Sequence, residues 1–312
     1  MDAASYANAK EVFPTLAWLL ARVDERPDRH DPYLLVGYEY AINTAIHHFP
    51  TISLEQINHM LGDFSRRLEN HGYSSRQAMD CRLDLSIHLG ELDTAAQLAK
   101  QISVLARDDL ADCEACEQHQ LVWLAYCRHD HAEAMKLAQP MLNGKLSCHS
   151  GIPERTYNIL MLIALRENDL ELAEEMHLRD YLLLSHDDDL DSVGYHAIYL
   201  ARVRNTSKAL DLIREHIGRA TNASPLGERV DFFAGALAVT RLALKTGSTT
   251  LAVRLPESHP AFNATSPGEC DLRNFAEWLE REIQSAVAAF DARNGTKHYS
   301  ATLQQLISLA RV

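Results

Sequence analysis

Glycine and proline are scarce in this chain: 13 and 10 of 312 residues. Such a composition leaves little room for the turn-dense punctuation of an all-β sandwich and favours long helices. No stretch approaches 18 consecutive apolar residues, so no transmembrane helix is expected. The first residues, Met1-Asp2-Ala3-Ala4-Ser5, lack a basic leader followed by an apolar core, so no signal peptide is expected. Six cysteines are too few for a disulfide framework in a chain of this length, and a cytoplasmic setting follows as the expectation. Positive charge is also short. Lys and Arg number 30 against 43 Asp and Glu, a formal net charge of −13. That field repels nucleic acid and anionic membrane, and no Lys/Arg run supplies a local patch, so neither is expected as a partner.

What the chain has is a repeat between Arg76 and Ile217. Four segments align: Leu89-Gly90-Glu91-Leu92, Arg128-His129-Asp130-His131, Glu167-Asn168-Asp169-Leu170 and Val203-Arg204-Asn205-Thr206. Each is a short polar turn leading into a helix that opens on an alanine. The alanines stand at 95, 134, 173 and 209, in steps of 39, 39 and 36. Three residues after each comes an apolar residue: Leu98, Leu137, Met176 and Leu212. A helix–turn–helix unit at a period of this size marks stacked helical hairpins.

These residues resemble tetratricopeptide repeats. The family places a small residue where the second helix crosses the first, and Ala95, Ala134, Ala173 and Ala209 match that position. Gly90 matches the family's turn glycine; His129, Asn168 and Arg204 do not. The family's proline after the second helix is absent and the steps exceed its usual length, so the repeats are degenerate. The resemblance covers about 140 of 312 residues. It implies an all-α fold, a right-handed α-solenoid of stacked hairpins with N- and C-terminal capping helices.

The flanks complete the division. Residues 1–75 read as a helical cap or diverged repeat: a helix over 3–23 interrupted by Pro14, a second over 33–49, and a third opening at Ser53 with Gln56 as capping-box partner. The repeat block spans 76–217. Residues 218–255 read as a decayed fifth unit, with Ala252 in the alanine column. Residues 256–270 hold three prolines and no period. Leu272 to Asn294 is a long helix, and a last helix capped at Ser300 completes 256–312 by covering the final repeat.

In tetratricopeptide arrays the first helix of each pair lines a concave groove. Carried over by position, this implies a partner-binding groove of Asp80, Asp84 and His88 from the first unit, His119, Trp123 and Tyr126 from the second, and Arg155, Asn158 and Leu162 from the third. An indole, a phenol and fixed charges suit a peptide; the plainer reading packs Trp123 and Tyr126 between helices. The family's carboxylate clamp needs Lys and Asn where Asp80 and Asp84 stand, so that partner is not implied.

Cys113 and Cys116 form a C-x2-C pair at the start of one unit, and Cys148-His149 lies just before the next. Stacking brings those edges together. Cys113, Cys116 and Cys148, with His149 or His119 as a fourth ligand, have the donor types of a structural zinc site; the alternative is three unpaired thiols. Cys81, Cys127 and Cys270 read as small hydrophobes. The doublets His30-Asp31, His129-Asp130 and His186-Asp187 lack the helical cage of a metal phosphohydrolase. The acidic run from Asp187 to Asp191 lacks the glycine and glutamate of an EF-hand and suits a helix start. The expectation is a non-enzymatic adaptor that binds a peptide or protein segment, with no cofactor or one structural zinc. A ligand-sensing regulator and a metal-dependent hydrolase are the alternatives.

Overall fold

The computed structural model describes residues 9–26, 31–149, 151–182, 190–222 and 226–311. The protein is all-α. In chain order its elements are α1 (Ala9–Glu25), α2 (Pro32–His48), α3 (Leu54–Asn70), α4 (Arg76–Leu89), α5 (Leu92–Ser103), α6 (Glu114–Cys127), α7 (His131–Leu142) and α8 (Glu154–Glu167). They continue with α9 (Leu170–Tyr181), α10 (Leu190–Arg202), α11 (Thr206–Asn222), α12 (Leu226–Lys245), β1 (Thr250–Leu251), β2 (Cys270–Asp271), α13 (Leu272–Asn294) and α14 (His298–Ser308). Among the described residues no helix is long and apolar enough to cross a membrane.

Local chemistry sets the helix boundaries. Ser53 and Gln56 form a reciprocal capping box at the start of α3. Asp130 and Asp169 cap α7 and α9 by accepting backbone N–H bonds from Glu133 and Leu172. The turns between paired helices repeat one geometry. Gly90, His129, Asn168 and Arg204 all have positive φ, at 81°, 59°, 63° and 58°. At each, the residue's N–H bonds back to Ile87, Tyr126, Leu165 or Ala201, and the next N–H bonds to Ser86, Ala125, Ala164 or Leu200. The left-handed turn therefore persists where its glycine has been lost. Gly247, at φ 95°, repeats it once more after α12.

Ala95, Ala134, Ala173 and Ala209 have no exposed surface. Each sits on the second helix of a pair, where a longer side chain has no volume to enter. Replacing Ala173 with phenylalanine is expected to cost about 3 kcal/mol by overpacking. Urea denaturation checks it; an unchanged midpoint would remove the alanine column from the packing.

Helices pair as α4 with α5, α6 with α7, α8 with α9 and α10 with α11. The first helices also pack on one another in the order α2, α4, α6, α8, α10, α12, and α12 returns to α2. This circuit closes where the start of α12 meets the end of α2. A Cβ on Gly227 would lie 2.0 Å from the His47 carbonyl oxygen. Arg293 of α13 seals the junction, donating to the carbonyls of Ala45 (3.0 Å) and Ile46 (2.8 Å). α3, α5, α7, α9 and α11 each bridge two successive members of the circuit from outside.

α14 packs on α12, α13 and α4. Thr296, just before it, reaches the Leu89 carbonyl, while Gln305 and Arg311 reach Arg166 and Asn168 at the end of α8. The chain's own C-terminal helix thus lies across the C-terminal ends of α4 and α8. The face that resemblance treats as an open groove is enclosed at that end.

The flanks depart from the sequence reading at two helices. α14 opens at His298 after Lys297, so Ser300 lies inside it and donates its hydroxyl to the Lys297 carbonyl at 2.9 Å instead of capping its start. Residues 250–251 form β1, paired with β2, instead of a second helix carrying Ala252. Thr249, Thr250 and Val253 are β-branched, and Pro256 blocks helix growth; α13 takes the place beside α12. Pro14 lies inside α1 and the helix runs through it. The proline-rich segment is anchored rather than loose: Leu255 and Ala261 are buried, and His259 lies 4.5 Å from the Trp278 ring. The expected helix residues before Ala9, together with His30, the His186-Asp187 doublet and Asp187 to Asp189, lie outside the described residues.

Candidate functional site on the inner face

The circuit turns one side of six helices inward, and polar residues from several of them meet there. On α2 and α4, His47 Nε2 lies 2.5 Å from Asp84 Oδ2. Burial works against a charged His47, but the charge and hydrogen bond of Asp84 prevail and hold its pKa above the usual histidine range. The charge of Arg155 of α8 is felt at both His47 and His119 of α6, where it opposes protonation. His47 nevertheless keeps 37% of its side-chain surface accessible.

The other inward groups are carboxyls and their partners. Gln77 donates to Glu39 at 2.6 Å, and burial, reinforced by Asp112, pushes Glu39 up to about 9. Asp80 receives a bond from Gln120 (3.3 Å) and is held well above the usual range by burial and by Asp112 and Asp84. Tyr195 of α10 donates to Asp231 of α12 at 2.8 Å. Burial and the nearby Asp191 push Asp231 up to about 7. Its charge reaches Tyr126 and Tyr299, which stand on α6 and α14.

The residues expected in the groove divide between this interior and the helix packing. Asp84 and Arg155 contribute charge to the interior, and Asp80 a carboxyl whose ionised form burial disfavours. His88 packs against His47 (5.2 Å), Phe290 and Tyr299, and burial followed by the charge of His47 keeps it neutral. His119 Nδ1 lies 3.0 Å from Thr156 Oγ1, and burial with Arg155 lowers its pKa to about 3. Trp123 stacks on Tyr126 at 5.2 Å, and the Arg166 guanidinium lies over the Tyr126 ring at 4.9 Å. Asn158 is buried and donates to Ser192 at 2.8 Å. Leu162 is core.

His47, Tyr195, Asp231 and Tyr299 were not reached by sequence reasoning. A signal for two of them was present. Asp80, His119 and Asn158 are separated by the same step of 39 as the first alanines, and steps of 37 and 36 lead on to Tyr195 and Asp231. His47 and Tyr299 carry no such signal, because closure of the circuit and the crossing of α14 bring them in. A buried chain between α9 and α10 was also missed: Asp180 Oδ2 lies 2.7 Å from His196 Nε2, and His196 Nδ1 lies 2.8 Å from His177 Nδ1. It joins the two helices across the core.

The cysteines form a second cluster. Cys113 caps α6, its sulfur accepting the Cys116 N–H at 3.4 Å. Cys148 sits in the loop between α7 and α8, and the three sulfurs lie within 4.8 Å of one another. Burial, then the hydrogen bond and charge of Cys113, push the Cys116 thiol upward. His149 is outside this sulfur group, and His119 is engaged with Thr156. Cys81 and Cys270 are buried in the core, and Cys127 packs at its edge.

No family model matches the chain, and neither a curated protein nor a solved structure matches it.

Proposed function

We propose that the chain is a non-catalytic binding protein, a diverged tetratricopeptide-like adaptor, which receives a cationic group on its inner face. That group is a basic side chain of a partner's peptide segment or a free amine. The carrying observation is the excess of inward carboxyls. Glu39, Asp80, Asp84, Asp112 and Asp231 come from α2, α4, α12 and the loop before α6, and several raise one another's pKa. Of the inward cations, His47 pairs with Asp84 and Arg293 bonds two carbonyls, and Arg155 is the third, fewer than the carboxyls they face. An incoming cation relieves carboxyl repulsion and draws protons off.

Asp231 gives the sign. Its pKa is raised to about 7 in the fold, so affinity for a cation falls as pH drops through that value. The same raised pKa makes ionised Asp231 unfavourable to folding at neutral pH, so Asp231→Asn leaves stability unchanged or higher. It is expected to weaken binding about tenfold, the loss of one charge-assisted hydrogen bond. Calorimetry with short Lys- and Arg-bearing peptides, and with spermidine, checks this at pH 6 and pH 8. Peptide binding supports the adaptor reading. Spermidine binding without peptide binding supports small-ligand sensing, which the enclosure by α14 favours. Binding insensitive to both pH and Asp231→Asn would reject the inner-face site.

A further inference from the structure

We propose that Cys113, Cys116 and Cys148 bind one thiophilic divalent ion, zinc by class, which ties the start of α6 to the loop entering α8. The cluster is set by the stacking of two repeats and is independent of the inner face. Two of the sulfurs come from the first turn of one repeat. The third comes from the approach to the next, 32 residues beyond Cys116. Only stacking of the two units unites them.

All three sulfurs lie within 4.8 Å of one another. In a tetrahedral thiolate site with Zn–S near 2.3 Å, sulfur–sulfur edges are about 3.8 Å. The cluster therefore needs to close by about 1 Å at most, a movement that side-chain torsions supply without backbone change. A disulfide would require two sulfurs to approach to about 2.05 Å and would leave the third thiol alone.

The backbone holds both arms. Cys113 is the N-cap of α6, and its sulfur is oriented by the Cys116 N–H. The loop arm is pinned by a two-way bridge: Cys148 N–H donates to the Ile152 carbonyl at 2.8 Å, and Ile152 N–H donates to the Cys148 carbonyl at 3.2 Å. Soft thiolates select zinc over magnesium or calcium, which prefer oxygen. Cys113 is exposed, which gives an ion an entry path. With His149 outside the sulfur group, the fourth position falls to solvent.

The consequence is mechanical. The loop carrying Cys148 leads directly into α8, whose first turn holds Arg155. An ion at the thiols fixes that loop against α6, so metal binding is coupled to the docking of two adjacent repeats.

The test uses the full chain purified under reducing conditions without chelator. Elemental analysis is expected to find about one zinc per chain, and the metal-stripped protein to melt at a lower temperature. Titration of the stripped protein with Co(II) is expected to give a thiolate-to-cobalt charge-transfer band that saturates at one equivalent. Cys113→Ser, at an exposed position, is expected to lose metal and band while keeping the native circular dichroism spectrum; Cys127→Ser is expected to keep both. Metal content near zero with no cobalt band overturns the proposal, as does full metal retention in Cys113→Ser or equal loss in Cys127→Ser.

Discussion

Replacing Gly235 with valine is expected to leave little folded protein at physiological temperature. α10 and α12 cross at their backbones. A Cβ on Gly235 would lie 2.3 Å from the Gly194 carbonyl oxygen and 3.0 Å from the Ala197 Cβ. A Cβ on Gly194 would lie 2.3 Å from the Asp231 carbonyl oxygen and 2.8 Å from the Phe232 Cα. The obstacles are mostly main chain, which cannot rotate aside, and the surroundings are fully buried. The cost is on the order of 4 kcal/mol or more, against a typical total stability of about 5–15 kcal/mol. The diagnostic is a reversal of sign. In an open helix position, Gly→Ala stabilises by about 0.5–1 kcal/mol. Gly218 of α11 has nothing within 4 Å of its would-be Cβ. Gly218→Ala should therefore raise the urea midpoint and Gly235→Ala should lower it. Two shifts of the same sign would mean that α10 and α12 are not in backbone contact.

A loss of about 3 kcal/mol is expected for Arg76→Ala, the cost of breaking a buried, multiply bonded charge. Arg76 is 7% exposed. Its Nε and Nη2 donate to the two oxygens of Glu117, at 2.8 and 2.7 Å. Its Nη1 donates to the carbonyls of Ile102 (2.7 Å) and Leu105 (2.9 Å), which lie at and beyond the end of α5. One side chain thus joins α4, the exit of α5 and the first turn of α6. Truncation leaves both carbonyls without this donor, while Glu117 keeps Arg107 as a second partner. Lysine should not rescue the loss, because its single ammonium cannot reproduce the fork. Chemical denaturation of both variants checks this; full rescue by lysine would show that charge alone matters at this junction.

The alanine column shows how much of the fold could be read locally. Ala95, Ala134, Ala173 and Ala209 recur at a fixed step, and each is fully buried. The bounds of α13 follow from its apolar spacing and the Asn294-Gly295 stop. Turn chemistry was less legible. Only Gly90 advertises its left-handed residue; His129 and Arg204 adopt the same φ because the flanking helices impose it. Residues around Ala252 were misread because a short strand pairing with Cys270-Asp271 is non-local and leaves no helical period to contradict it.

Of the candidate sites, the thiol cluster was approached through spacing alone. C-x2-C and a third cysteine almost one repeat away predict neighbours, and the three sulfurs do converge; His149, adjacent in sequence, does not join them. The inner face was half legible. Its column of Asp80, His119 and Asn158 follows the repeat step, but whether that column faces an open groove or an enclosure is not a local property.

By itself, then, the sequence determined the helical class, the pairing of neighbours and the positions that need a small side chain, because periodicity and side-chain volume act within one or two repeats. Tertiary structure alone decided that α12 returns to α2, that α14 crosses the ends of α4 and α8, and that His47 and Tyr299 both pack against His88. The reason is geometric accumulation. Each hairpin adds a small rotation set by packing against its neighbour, and only the sum over six inner helices determines whether the two ends of the circuit meet.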